Sequence, residues 1–187
     1  MAKVGNNIVT TGLSGKLGNL IVFRNVNGKT IVAAAPRERT VEPSEAQLNN
    51  QNHFQEAVIY GKSATKDETM KAAYEAAAKE GQSAYNVAVA DFMKAPQINE
   101  VDLSNYTGQP DSYILVRATD DFNVAEVTVT IQNADGTEVE SGTAQLEPGT
   151  IWWRYTATAT NESLDGDKIM IRATDVPGNL TEEEKSL

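Results

Sequence analysis

The chain has 187 residues, 40% of them apolar, and no cysteine, which suits one medium domain or two small ones and removes disulfide frameworks, thiolate nucleophiles and the usual zinc and iron–sulfur sites. Its net charge of −10 is uneven: residues 1–95 hold 11 Lys and Arg against 9 Asp and Glu, a net of +2, whereas residues 96–187 hold 5 against 17, a net of −12. A field of that sign repels phosphate backbones, so nucleic acid is not an expected partner of the C-terminal half.

The opening "MAKVGNNIVTTGL" has no apolar core of a signal peptide, and "LIVF" is far shorter than the ~20 residues that a membrane helix needs. A soluble chain without Sec-type export and without a membrane partner is expected. From Asn19, "NLIVFRNVNGKTIVAAAP" has two apolar runs around Asn27-Gly28, a pair suited to a type I′ turn, so a β-hairpin ending at Pro36 is predicted. The runs are continuous, not alternating, and both faces need cover. Leu20, Ile21, Val22, Phe23, Ile31 and Val32 exceed what a hairpin buries alone and are the candidate docking residues.

Ser44, with Gln47 in the capping-box place, predicts a helix to about Gly61 with Phe54 and Val58 on one face. A second start is read at Thr65 with Glu68 three residues on; Met70, Ala73, Tyr74 and Ala77 follow at helical spacing, Gly81 interrupts and Pro96 ends the run. Alanine buries little area, so these helices need a further surface.

Beyond Pro96 the period becomes 2. "YILVRA", "VAEVTVTI", "IWWRYTATAT" and "KIMIRA" read as strands separated by turns at Asn133–Gly136, Pro148-Gly149, Leu164–Asp167 and Pro177–Asn179. The expected class is therefore α+β in two units: residues 1–95 as a β-hairpin with α-helices, and residues 96–187 as an Ig-like β-sandwich. In Trp152-Trp153, alternation directs Trp153, with Ile151 and Tyr155, to the core and Trp152, with Arg154, outward, which makes Trp152 a candidate for a glycan or protein contact.

Two strands end in the same four letters, RATD, at Arg117–Asp120 and Arg172–Asp175. With "YILVRA" as strand B and "KIMIRA" as strand F, both leave their sheets at one rim, as the BC and FG loops. Asp120, Asp121, Asp175 and Asn179 offer oxygens to a hard cation, but the dense spacing of an EF-hand loop is missing and Asp and Asn are ordinary turn residues. No metal ligand and no cofactor is assigned.

Catalytic patterns fare no better. Neither Gly15-Lys16 nor Gly28-Lys29-Thr30 has the earlier glycine of a phosphate loop: Thr10 and Phe23 occupy those places. His53 is the only histidine and has no cysteine to activate. Carboxylate pairs abound among 26 acids and identify no glycosidase without geometry. No catalytic residue is assigned, and a non-enzymatic protein is expected.

The stretch "GLSGKLGNLIVFRNVNGKTIVAAAPRERTVEPSEAQLNNQNHFQEA" resembles the N-terminal region of uncharacterised proteins from Bacteroides-type bacteria and their phages. "VRATDDFNVAEVTVTIQNADGTEVESG" through "IRATDVPGN" resembles Ig-like modules of bacterial surface and phage virion proteins. Together the resemblances imply a structural protein of the virion of a crAss-like or related phage, an auxiliary capsid or head-decoration component whose partners are other virion subunits such as the major capsid protein. An adhesion or glycan-binding module is the alternative. Neither resemblance brings a catalytic residue.

Overall fold

The computed structural model describes every residue except 1, 5–7, 27 and 37–39. Among the described residues the fold is α+β, with three helices and three four-stranded antiparallel sheets. Compactness divides the chain between Asn50 and Gln51, inside the first helix, into units Met1–Asn50 and Gln51–Leu187. The change of period near Pro96 marks the place where helices give way to strands within the second unit.

In the first unit, β1 (Ala2–Val4), β2 (Gly15–Leu17), β3 (Ile21–Val26) and β4 (Lys29–Ala34) form a sheet in the order β1-β4-β3-β2. The predicted hairpin is its centre, with Val26 paired to Lys29. Gly28 takes a positive φ of 74°, and Asn27, the other half of the expected turn, lies outside the described residues. The flanking β1 and β2 are three residues each, too short to leave a periodic signal. The side chains of residues 2–4 lie outside the description, and among the side chains of this unit that are described only Thr30 and Ala35 are buried. The Thr30 hydroxyl accepts the Gly12 amide at 2.9 Å.

The first helix, α1 (Glu45–Ala64), begins with the predicted capping box, in which the Ser44 amide donates to Gln47 and the Gln47 amide to Ser44. It runs through Gly61 and closes when the Thr65 hydroxyl bonds the Gly61 carbonyl at 2.8 Å. Thr65 therefore ends one helix and does not start the next. That role falls to Asp67, whose carboxylate caps the Met70 amide of α2 (Glu68–Ala77). Ser83 caps α3 (Ala84–Phe92) in the same way. Ala64, Tyr74, Ala84 and Ala88 are buried together, with Met70, Val87 and Phe122 against them. Phe122 comes from the strand region, with its ring centroid 4.3 Å from that of Tyr74, and supplies the cover that the alanine-rich helices lack.

The remaining strands are β5 (Gln97–Asp102), β6 (Tyr113–Thr119), β7 (Val124–Gln132), β8 (Glu138–Thr143), β9 (Gln145–Leu146), β10 (Trp152–Thr156), β11 (Lys168–Asp175) and β12 (Leu180–Ser186). They build two sheets, β5-β6-β10-β9 and β12-β11-β7-β8. One core joins them, because alternate residues of each central strand turn inward: Ile114, Val116 and Ala118 from β6, Val127, Val129 and Ile131 from β7, and Ile169, Ile171 and Ala173 from β11. By the packing energetics of buried aliphatic side chains, truncating any of these Ile residues to Ala costs ~2–5 kcal/mol. The β12 segment, "LTEEEKS", escapes sequence reading because it is an edge strand with acids on its exposed side, where Glu182 meets Arg172 and Glu184 meets Lys168.

Candidate functional site

Strand pairing sorts the six candidate docking residues. Phe23 is opposite Val32 and Gly15, and Ile21 is opposite Ala34 and Leu17. Residues opposite or two apart share a face, so Leu17, Ile21, Phe23, Val32 and Ala34 form an apolar patch on one face, with Asn25 and Thr30 at its end. Val22 and Ile31 lie on the other face with Ala33, Lys16 and Arg24. Leu20 belongs to neither: it is in the turn between β2 and β3 and is 80% exposed. Leu17, which the sequence did not single out, is 63% exposed, while Ile21, Phe23 and Val32 are half-buried.

Trp152 is half-buried and directly opposite Arg117, whose guanidinium lies 5.9 Å from its ring centroid. Arg154 extends over the Tyr113 ring at 3.9 Å and pairs with Glu147. Tyr155 is buried and Trp153 packs on the core, as alternation requires. Ile151 does not join them: it precedes β10, in the turn after Gly149, and is 52% exposed.

The two RATD runs meet. On β6 and β11 the Ala and the Asp are two residues apart and share the inward side, while Arg and Thr face outward. Arg117 pairs outward with Glu100 of β5, and Arg172 with Glu182 of β12. The inward aspartates are delivered from two sheets to one rim, where Asp91 of α3 joins them. One carboxylate oxygen of each of Asp91, Asp120 and Asp175 lies within 4.8 Å of the other two. Asp121 is not part of this group, because Lys94 holds it.

Local hydrogen bonds set each carboxylate. Asp120 Oδ2 accepts the amides of Phe122 and Asn123, and Asp175 Oδ1 accepts those of Gly178 and Asn179. These are the Asx turns that the sequence implied. The Asn179 side-chain amide donates to Asp175 Oδ2 at 2.7 Å and to the carbonyls of Phe92 and Lys94 at the end of α3, at 3.1 and 3.2 Å. Tyr74 donates its hydroxyl to Asp91 Oδ2 at 2.6 Å; with that proton committed, Tyr60 must donate to Tyr74, 2.8 Å away. Burial pushes the Asp91 carboxyl up to about 7; the Tyr74 bond works against the rise, and Asp120 and Asp175 add to it. Burial likewise raises the Tyr74 phenol well above its ordinary range.

Asp91 is the member that sequence reading missed. A signal existed: Asp91 follows the buried Ala84 and Ala88 at helical spacing, which puts a charge on the apolar face of α3. With Asp91 only 1% and Asp175 2% exposed, no sugar ring fits between them, and the cluster is not arranged as a glycosidase pair across an open cleft. The single histidine, His53, packs at a tilt against Phe92 with centroids 5.3 Å apart and lies near Glu56 of its own helix.

No known protein family, curated protein or solved structure matches this chain. Among the described residues, no helix is long and apolar enough to cross a membrane.

Proposed function

We propose that this chain is a non-enzymatic structural component of a phage virion, an auxiliary capsid or head-decoration protein that docks through its N-terminal sheet on another virion subunit such as the major capsid protein. The observation that carries this reading is the apolar patch of Leu17, Ile21, Phe23 and Val32, left partly exposed in a unit where, among the side chains that are described, only Thr30 and Ala35 are buried. So small a core supplies little stability, and a sheet with one uncovered apolar face gains it by association. The resemblance of both halves to phage and surface proteins supports the particle as the place of that association. The strand orders support an Ig-like reading of the second unit: lettered along the chain from β5, they become A-B-E-D and G-F-C-C′.

Purified particles that encode the chain provide the test. The reading expects a copy number tied to that of a capsid subunit, and cross-links from residues 15–34 to that subunit. Absence from washed particles, or a free monomer whose β3 and β4 amides are fully protected from exchange, would overturn it.

A further inference from the structure

Two buried oxygens at the rim have no hydrogen-bond partner, Asp91 Oδ1 and Asp120 Oδ1. Asp91 is 1% exposed, and the donors already described engage the other oxygens of the cluster without reaching these two. While both are ionised neither oxygen can satisfy the other; a proton on Asp91 donated to Asp120 does so, and a bound cation takes that proton's place. Buried anions are held by cations or lose their charge, and the nearby ammonium of Lys94 is engaged by Asp121. The C-terminal end of α3 adds the negative end of a helix dipole to the same place.

The geometry meets what a hard cation requires. Two oxygens that share one ion at ~2.4 Å stand at most ~4.8 Å apart. One oxygen from each of the three carboxylates falls within that spread of the others. The set is all oxygen, the preference of calcium and not of zinc or copper. A cleft of about 250 Å³, lined by Asp91, Lys94, Asp121 and Phe122 among others, borders the cluster on the Asp91 side. We propose that Asp91, Asp120 and Asp175 bind a divalent cation of calcium's size, which ties the end of α3 to the exits of β6 and β11. Its ligands come from three separate elements, which is why no EF-hand spacing announces it. The inference stands apart from the docking reading.

Terbium(III), a hard ion of similar size, is the probe, because Tyr74 donates to Asp91 and is placed to sensitise its luminescence. With the full-length chain stripped by EDTA, excitation of tyrosine should give emission that saturates near one equivalent and is displaced by calcium chloride. Calcium should also raise the melting temperature of the stripped chain. Asp120→Asn should weaken binding by ~tenfold or more, since affinity follows the count of charged ligands. Asp165→Asn, an exposed acid in the turn before β11 and so at the other end of that strand from Asp175, should bind as the parent does. Asp91→Asn, which keeps an acceptor for Tyr74, is the second variant should Asp120→Asn fail to fold. Emission that does not saturate, no calcium-dependent rise in melting temperature, or parent-like binding by Asp120→Asn and Asp91→Asn would overturn the proposal.

Discussion

Asp120 and Asp175 close two copies of the same four-residue run on strands of different sheets, and their carboxylates approach within 4.8 Å of one another and of Asp91. The repeat reflects one local solution used twice: Arg outward to a glutamate on the edge strand, Ala into the core, Asp at the rim.

Asp91 makes stability depend on pH in cation-free buffer. Its folded value, about 7, is raised above the unfolded value of 3.8, so its contribution is fully present below about 4 and lost as pH rises through 7. Chemical denaturation in EDTA should show stability falling from about pH 4 and levelling off above about pH 7. Asp102 and Asp135, whose values are lowered by bonds from Ser104 and Thr137, titrate below this window. Asp91→Asn accepts from Tyr74 and donates to a neighbouring carboxylate, and it should flatten the slope and exceed the parent in stability at pH 8. A parent and variant with parallel profiles would show that Asp91 is ionised without cost.

Much of this arrangement was legible in the sequence. Period 2 in "YILVRAT" and "KIMIRAT" located β6 and β11, and treating them as facing strands brought their exits to one rim. The sequence groups Asp121 with Asp120 because they are neighbours, but both lie in the bend between β6 and β7, where Asp121 pairs with Lys94. Asp91 was hidden because a lone acid in a helix is usually on the solvated side, and only the positions of Ala84 and Ala88 show otherwise. The end of α1 was misread at Gly61 because glycine often stops a helix.

Gly61 is instead a point of close approach. A Cβ there would stand 2.7 Å from Val89 Cγ2 and 3.1 Å from the Tyr85 ring, both on α3. Alanine normally favours a helix interior over glycine by ~1 kcal/mol. Overpacking costs ~1–3 kcal/mol. Gly61→Ala should therefore destabilise, by up to about 2 kcal/mol net. In the Val89→Ala background most of that penalty should vanish, and a double-mutant cycle by urea denaturation measures the coupling.

Gly108 tolerates even less. Its φ is +73°, and a Cβ would meet the backbone oxygen of Asn161 at 2.7 Å, where no side chain can swing aside. The Asn161 amide also donates to the Gly108 carbonyl at 2.7 Å, while its side chain donates to Tyr106 and to the buried Asp167. Gly108→Ala should cost about 2 kcal/mol or more through strain alone. It should also loosen the Tyr106–Asn161–Asp167 group. A melting temperature within 1 °C of the parent would contradict this assignment.

The two faces of the N-terminal sheet predict different outcomes for neighbouring substitutions. Phe23 is half-buried in the apolar patch with Leu17, Ile21 and Val32, whereas Arg24 is exposed on the face that already carries Lys16. Adjacent strand residues share backbone surroundings but point to opposite sides, so a glutamate at either place perturbs strand pairing to a similar degree while charging only one face. If the apolar face is the docking surface, Phe23→Glu should remove the chain from assembled particles, because an unpaired charge in a desolvated contact costs several kcal/mol. Arg24→Glu should leave incorporation nearly unchanged. Circular dichroism of the free chains checks that both variants keep the parent's strand content, and the ratio of bound to free chain after sedimentation gives the comparison. Equal incorporation of the two, with folding intact, would mean that docking does not use this face; loss of both would move the contact to the strand edges, where face has no influence.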